Sequence, residues 1–245
     1  MDRHGTPAFL KVITEPEERD GSTVMIWWAG NGAARVYAYD DDAILLERAM
    51  GERSLSAMST AGHDREATMV LCKVAARLHA RDPADRPATI VPLEQWFRAL
   101  WPVAERRGGV LDRAATIAGQ LLTSQRERVV LHGDLHHDNV LDFGDRGWLA
   151  IDPKGLYGER TFDFVNLLRN PEDRVEQPHG RFAARVRTIA SVTGVDPQRL
   201  AAWTVAFTGL SAAWIYDDGD EPALDLAVAQ EALAYLARDS AGSSA

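Results

Sequence analysis

The chain has 245 residues, 46% hydrophobic and 26% charged, with a formal net charge of -9 and a single cysteine. That length supports one large or two modest domains around a substantial core, and the excess of acid works against a nucleic-acid or anionic-membrane partner while favouring a cationic small molecule. Cys72 alone can form no internal disulfide, no apolar run approaches a bilayer span, and the first residues lack the apolar region of a secretory leader, so a cytoplasmic location is expected.

Residues 8–13 (Ala-Phe-Leu-Lys-Val-Ile) read as a short strand with Lys11 in its middle, a position where an isolated lysine normally snorkels to solvent. Glu15, Glu17 and Glu18 then open a helical segment that runs on through Val24, Met25, Trp27 and Trp28, the acids suiting the positive end of a helix dipole. Gly30-Asn31-Gly32 reads as a turn, Ala34 to Ala38 as a strand and Asp40-Asp41-Asp42 as a second turn. Residues 43–49 read as the last strand of a small N-terminal unit, running into a linker near residues 47–51.

From Asp64, the residues Ala67, Val70, Leu71, Val74, Ala75 and Leu78 recur at helical spacing on one face, which predicts a helix carrying Cys72 as a buried thiol. His79 ends it and reads as a structural hydrogen-bonding residue. Pro83, Pro87 and Pro92 break the next stretch, and two further helices are predicted, Leu93 to Val103 and Leu111 to Leu122.

The most informative stretch lies between Val129 and Lys154. An apolar strand (Val129 to Leu131) delivers the polar loop His132-Gly133-Asp134-Leu135-His136-His137-Asp138-Asn139, a second strand (Val140, Leu141) leaves it, and a third (Trp148 to Ile151) returns carrying Asp152. Asp134, Asn139 and Asp152 are thereby expected on strand ends facing one point. Phosphoryl transfer needs such a set: Asp134 to accept a hydrogen bond from an attacking hydroxyl, and Asn139 and Asp152 as hard oxygen ligands for Mg²⁺. Two other readings compete. His132, His136, His137, Asp134 and Asp138 offer ligands for a transition metal, and a purely structural reading has the acids cap turns, which leaves Asp152 unexplained.

Lys154 follows Asp152 by two residues, within reach of charge developing on a transferred phosphoryl group or of substrate, against the plainer reading of a surface lysine in a Pro-Lys-Gly turn. Asp163 is expected to bind backbone amides of the 132–139 loop and hold its shape, with Asn166 and Arg169 supporting the same face. Residues 180–194 read as a basic amphipathic helix whose Arg181, Arg185 and Arg187 form a solvated face. Asp196-Pro197 starts a long apolar helix reaching Tyr216, with Trp203, Phe207 and Trp214 as core candidates. An acidic turn at 217–221 precedes a last helix from Pro222 to about Arg238 and a small, polar tail. Asp217, Asp218 and Glu172 are candidates for holding cationic groups of a substrate, against an ordinary role as turn acids.

Taken together, His132-Gly133-Asp134-Leu135-His136-His137-Asp138-Asn139-Val140-Leu141, Ile151-Asp152-Pro153-Lys154-Gly155 and Phe162-Asp163-Phe164-Val165-Asn166-Leu167-Leu168-Arg169-Asn170-Pro171 resemble the aminoglycoside phosphotransferase family, in its aminoglycoside/hydroxyurea resistance kinase branch. The resemblance implies an α+β, protein-kinase-like two-lobe fold. A truncated N-terminal β lobe would span residues 1–48 and a mostly helical lobe residues 49–245, with ATP and Mg²⁺ between them. It implies that Lys11 contacts the nucleotide phosphates and pairs with Glu18 or Glu17. Backbone groups from Glu47 to Ala49 would hold adenine, and His132 and Asp163 would support the loop. The glycine loop that normally covers the phosphates is not found before Lys11, where Gly5 reads as the turn entering the strand. An open sheet edge there would invite pairing with a second chain, so a homodimer is a possible assembly.

The expected activity is transfer of the γ-phosphate to a hydroxyl of an aminoglycoside, of the streptomycin 6-phosphotransferase type, giving antibiotic resistance. Hydroxyurea or another small hydroxyl compound is an alternative acceptor, and a catalytically silent binding protein is an alternative of a different class.

Overall fold

A computed structural model describes residue 5, residues 7–171 and residues 180–242. Its small lobe is a three-stranded antiparallel sheet of β1 (Ala8–Val12), β2 (Val36–Asp40) and β3 (Ala43–Glu47), ordered β1-β3-β2, with one helix, α1 (Pro16–Trp28). Lys11 stands opposite Ile44 in this register. The β2–β3 turn closes as its three aspartates predict: Asp40 Oδ1 accepts from the backbone N–H groups of Asp42 (3.0 Å) and Ala43 (2.8 Å). Gly5 has the positive φ expected of a turn glycine, and its neighbours 1–4 and 6 lie outside the described residues. β1 is an edge strand with Phe9, Leu10 and Val12 exposed.

The predicted strand over 34–38 begins two residues later. Ala33 and Ala34 are buried instead against the large lobe, Ala34 N–H donating to Ala150 O and Ala150 N–H to Gly32 O, both at 2.9 Å. The Gly30-Asn31-Gly32 turn therefore hands the chain to the other lobe before β2 starts.

The linker after β3 is fastened to the large lobe. Gly51 N–H donates to Asp142 O at 2.9 Å, and a Cβ on Gly51 would lie 2.1 Å from the Asp142 carboxyl carbon, so only glycine passes there. Arg53 closes the join with a bidentate pair to that carboxylate, 2.7 and 2.9 Å. The arginine holds the Asp142 carboxyl down at about 2.

The large lobe contains α2 (Leu55–Thr60), α3 (Asp64–His79), α4 (Leu93–Trp96), α5 (Leu100–Arg107), α6 (Val110–Thr123), α7 (Val165–Arg169), α8 (Arg181–Thr193), α9 (Pro197–Asp217) and α10 (Ala223–Gly242). Its strands are β4 (Val91–Pro92), β5 (Arg128–Leu131), β6 (Val140–Asp142), β7 (Trp148–Ala150) and β8 (Leu156–Glu159), arranged as a β4-β8-β5 sheet and a β6-β7 hairpin. α3 occupies the stretch its periodicity predicts, with Ala67, Leu71, Val74, Ala75 and Leu78 buried. Cys72 is buried among them, and burial pushes its thiol up to about 12, which leaves it inert. α9 forms the axis of the lobe, and its Trp203 packs with Phe97 and Phe162 at centroid separations of 6.0 and 5.6 Å.

Three expectations change. The single helix over 93–103 is broken into α4, a 3-10 turn at Phe97–Ala99 and α5, because Pro102 has no N–H to donate four residues back and its ring would strike the carbonyl there. The last helix runs past Arg238 to Gly242. Arg181 and Arg185 do not form a solvated face. Arg185 is 1% exposed, with Nε and Nη2 on the Asp64 carboxylate (2.9 and 2.5 Å) and Nη1 on the carbonyls of Leu167 and Asn170. Arg181 reaches the same carboxylate at 3.3 Å, and of the three only Arg187 is exposed.

This pair ties the first turn of α3 to α7 and α8. Removing one partner of a buried pair leaves the other desolvated and uncompensated, at a cost of about 3–5 kcal/mol. Arg185→Ala should therefore lose on that order in urea-monitored stability, whereas Arg187→Ala should stay within about 0.5 kcal/mol of the parent. Equal losses in the two variants would contradict the assignment.

Candidate active site

The loop between β5 and β6 is held by a buried carboxylate. Asp163 accepts from the backbone N–H groups of His132 (2.9 Å) and Gly133 (2.8 Å) and from His79 Nε2 (2.7 Å). Burial opposes its charge, but the His79 hydrogen bond and charge and the Gly133 amide keep its carboxyl below the ordinary range. Gly133 sits at φ +79 with room for nothing larger, since a Cβ would lie 2.7 Å from Leu156. His132 is fully buried; its Nδ1 accepts from Asp134 N–H (3.2 Å) and its Nε2 donates to Ile151 O (2.8 Å). Burial depresses its pKa, so it is neutral, and it joins the start of the loop to the residue before Asp152.

On this frame two of the three predicted side chains touch, and the third follows one residue beyond a backbone bond to Asn139. Asn139 donates from Nδ2 to the Asp134 carbonyl (2.9 Å) and, more distantly, to its carboxylate (3.4 Å), while Asn166 donates to Asp134 Oδ1 at 3.0 Å. The β6-β7 register pairs Val140 with Ala150, and Ile151 N–H donates to Asn139 O at 2.9 Å, so Asp152 follows directly beside Asn139. Asp152 has φ 58, a left-handed conformation that costs a residue with a Cβ on the order of 1–3 kcal/mol.

Lys11 reaches this point from the small lobe. Its ammonium touches Asp152 Oδ1 and lies 3.0 Å from Glu18. Burial alone would lower its pKa, but the hydrogen bonds to Asp152 and Glu18 outweigh that and hold it above the ordinary value. Of the two acids expected to pair with Lys11, Glu18 is therefore the one in contact. Its carboxyl, pushed down to about 2, is held first by Thr14 N–H (2.7 Å) and then by Lys11.

Two cavities flank the contact. One, of about 460 Å³, is lined by Phe9, Lys11, Glu18, Leu46, Ala49, Phe143 and Asp152. The other, of about 790 Å³, is lined by Glu17, Asp20, Trp96, Lys154, Trp214, Asp217 and Asp218.

A family profile described as aminoglycoside/hydroxyurea antibiotic resistance kinase matches residues 1–219. The chain belongs to that family. As a member of this kinase family it is a phosphotransferase with an alcohol group as acceptor. It is 48% identical over 233 residues to the streptomycin 3''-kinase of Klebsiella pneumoniae, covering 91% of this chain and 86% of that protein. It is 30% identical over 238 residues to the streptomycin 6-kinase of Streptomyces griseus, covering 88% and 73%. The fold matches aminoglycoside phosphotransferase APH(3'')-Id of Streptomyces rimosus, solved with ADP and streptomycin (TM-score 0.59, 18% identity, 85% and 88% covered). It also matches the choline kinase LicA of Streptococcus pneumoniae (TM-score 0.62, 12% identity, 96% and 87% covered).

Several residues of this kinase sit differently from expectation. Glu47 commits its backbone N–H to Arg35 O (2.8 Å), and its carboxylate accepts from Arg146. Arg169 faces α10 and pairs with Asp225 at 2.9 Å. Asp217 and Asp218 do line a cavity with Lys154, and Asp217 also pairs with Arg106 at 2.9 Å. Glu172 lies outside the described residues. The loop histidines do not converge as a transition-metal site requires: His132 turns to Ile151 and His137 to Arg185, and no cluster of three such ligands occurs among the described residues.

Glu17 and Asp20 were not expected as cavity residues. Their signal was the spacing i, i+3, which puts both on one face of α1 while Glu18 points elsewhere. Trp96 and Trp214, in edge-to-face contact at 5.3 Å, form the aromatic wall of the same cavity.

His137 is 1% exposed with no partner on Nδ1, and burial pushes its pKa down to about 3. The unfolded chain takes a proton near pH 6.5 that the folded chain refuses until about 3, so stability is intact above the first value and is lost as pH falls towards the second. Each unit within that window costs up to about 1.4 kcal/mol. The drop in urea midpoint between about pH 7 and about pH 5 should be smaller in His137→Gln; the same drop in both proteins would remove His137 as its source.

Proposed function

We propose that this kinase transfers the γ-phosphate of ATP to a hydroxyl of streptomycin, with Mg²⁺ held by Asn139 and Asp152. The observation that carries this reading is that Asn139 bonds Asp134, that Asp152 follows the Ile151 bonded to Asn139, and that Lys11 holds Asp152 at the edge of the apolar cavity. The donor set fits Mg²⁺: Asp152 is a hard carboxylate already facing the Lys11 cation, and Asn139 turns its nitrogen to Asp134, which leaves its amide oxygen as a metal ligand. When bound, Mg²⁺ neutralises phosphate charge and orients the nucleotide.

The apolar cavity suits adenine between Leu46, Ala49, Phe143 and their neighbours. With the Glu47 amide committed to Arg35, backbone readout of the base falls to groups beyond it, towards Ala49. Lys11, steadied by Glu18, faces the phosphates. Asp134 accepts the hydrogen bond, and then the proton, of the attacking hydroxyl, and Asn166 keeps that carboxylate aimed. Lys154 lies on the acceptor side, where it supports charge on the phosphoryl group. Glu17, Asp20, Asp217 and Asp218 outnumber Arg98 and Lys154 in the acceptor cavity and offer carboxylates to guanidinium groups.

Loop motifs favour a 6-hydroxyl acceptor by resemblance, while the higher identity to a 3''-kinase than to a 6-kinase, 48% against 30%, supports the 3''-hydroxyl. We take the 3''-hydroxyl as the acceptor. Phosphorus–proton correlation NMR of the product from streptomycin should show phosphate on that carbon, and a coupled ADP assay that includes hydroxyurea and hygromycin B should rank streptomycin first.

Asp134→Ala should lower kcat by about 10²–10⁴ while thermal stabilisation by ATP and Mg²⁺ persists. Asp152→Ala should lose the Mg²⁺-dependent part of that stabilisation. Parent-like turnover in both variants would refute the assigned roles.

A further inference from the structure

Helix α1 and the turn at 152–155 belong to different lobes and meet backbone to backbone. A Cβ on Gly21 would lie 2.0 Å from the carbonyl oxygen of Pro153 and 3.1 Å from its carbon; one on Gly155 would lie 2.9 Å from the backbone carbon and oxygen of Asp20. Each chain segment thus meets the other at a glycine. Gly21 lies inside a helix, where glycine is the poorest former after proline, so its presence there asks for a compensating contact. Gly119, inside α6, has nothing within 4 Å of its would-be Cβ and no such contact.

What flanks this seat is the machinery. On one side Glu18 and Asp152 both hold Lys11 and line the apolar cavity; on the other, Glu17, Asp20 and Lys154 line the acidic one. The carboxylates alone hold Lys11 through long, partly exposed side chains, a loose restraint, whereas a backbone contact with no side chain between is stiff. We infer that Gly21 and Gly155 are positioning residues for phosphoryl transfer: their contact seats α1 on the 152–155 turn and so sets how Lys11, Glu18 and Asp152 stand to one another across the two lobes. The consequence for turnover rests on the function proposed above; the seat itself does not.

The test is Gly21→Ala, a change that favours the helix in isolation. Ordinary contact begins at 3.4 Å where this Cβ would stand at 2.0 Å, so α1 must lift by about 1.4 Å. The chain has three lysines, Lys11, Lys73 and Lys154, and Lys73 on the exposed face of α3 serves as an internal reference. In the apo protein, brief acetylation read by mass spectrometry should label Lys11 severalfold faster relative to Lys73 in Gly21→Ala than in the parent. Circular dichroism should report a folded helical protein. With streptomycin, ATP and Mg²⁺, kcat should fall by about 10², the scale of an ångström-sized misplacement, and the KM for streptomycin should rise as well, because Glu17 and Asp20 move with α1. Gly119→Ala should alter neither readout.

An unchanged Lys11 to Lys73 ratio in folded Gly21→Ala would overturn the inference. If that variant does not fold, Gly155→Asn decides on the same ratio, because asparagine tolerates the φ of +72 while keeping the obstructing Cβ. A parent with no turnover on streptomycin would sink the functional reading and leave the acetylation ratio to decide the seat.

Discussion

A buried carboxylate that donates nothing and accepts from three N–H groups is the constraint from which the geometry of the 132–139 loop follows. A charge as deeply buried as Asp163 is tolerable only when fully paired, and the three groups that pair it are His79 at the end of α3 and the amides of His132 and Gly133. The loop is thereby fixed at its first two residues to a helix far away in sequence. Everything after them inherits that placement: Asp134 is set by His132 and Asn166, Asn139 by Asp134, and Asp152 by the bond between His132 and Ile151. The polar site is a chain of short dependencies that starts in the core and ends at the cleft between the lobes.

The catalytic stretch was legible because its signal is local. Three short strands and the loop they carry place Asp134, Asn139 and Asp152 within one run of 19 residues, although Asp163, His79 and Asn166 fix that loop from outside it, and α3 was equally plain because six apolar positions repeat on one face. What escaped detection depends on partners distant in sequence. Nothing near Arg185 announces that Asp64, 121 residues earlier, will neutralise it, so a basic helix read as a solvated one. β8 is four residues long with a glycine inside it and exists because β4 and β5 flank it on both edges. The α4–α5 break was readable, since Pro102 stands in the sequence, and was lost to the apolar periodicity around it.

Recognition of the acceptor was the least legible part. Asp217 and Asp218 stand out as a run of acid, yet they face a cavity whose other acids come from the small lobe, at positions where glutamate and aspartate also suit the start of any helix. The two roles are carried by successive residues of one element: Glu17 and Asp20 look to one cavity while Glu18 serves the other. A single turn of α1 therefore lines both cavities, which no composition or charge count reveals.

The fastening of the linker to Asp142 has a mechanical meaning. Asp142 closes the strand that leaves the Asn139 end of the loop, and Gly51 and Arg53 grip it through both its main chain and its side chain. A linker of that kind behaves as a riveted bracket rather than a tether: from residue 51 onward it belongs mechanically to the floor beneath Asn139.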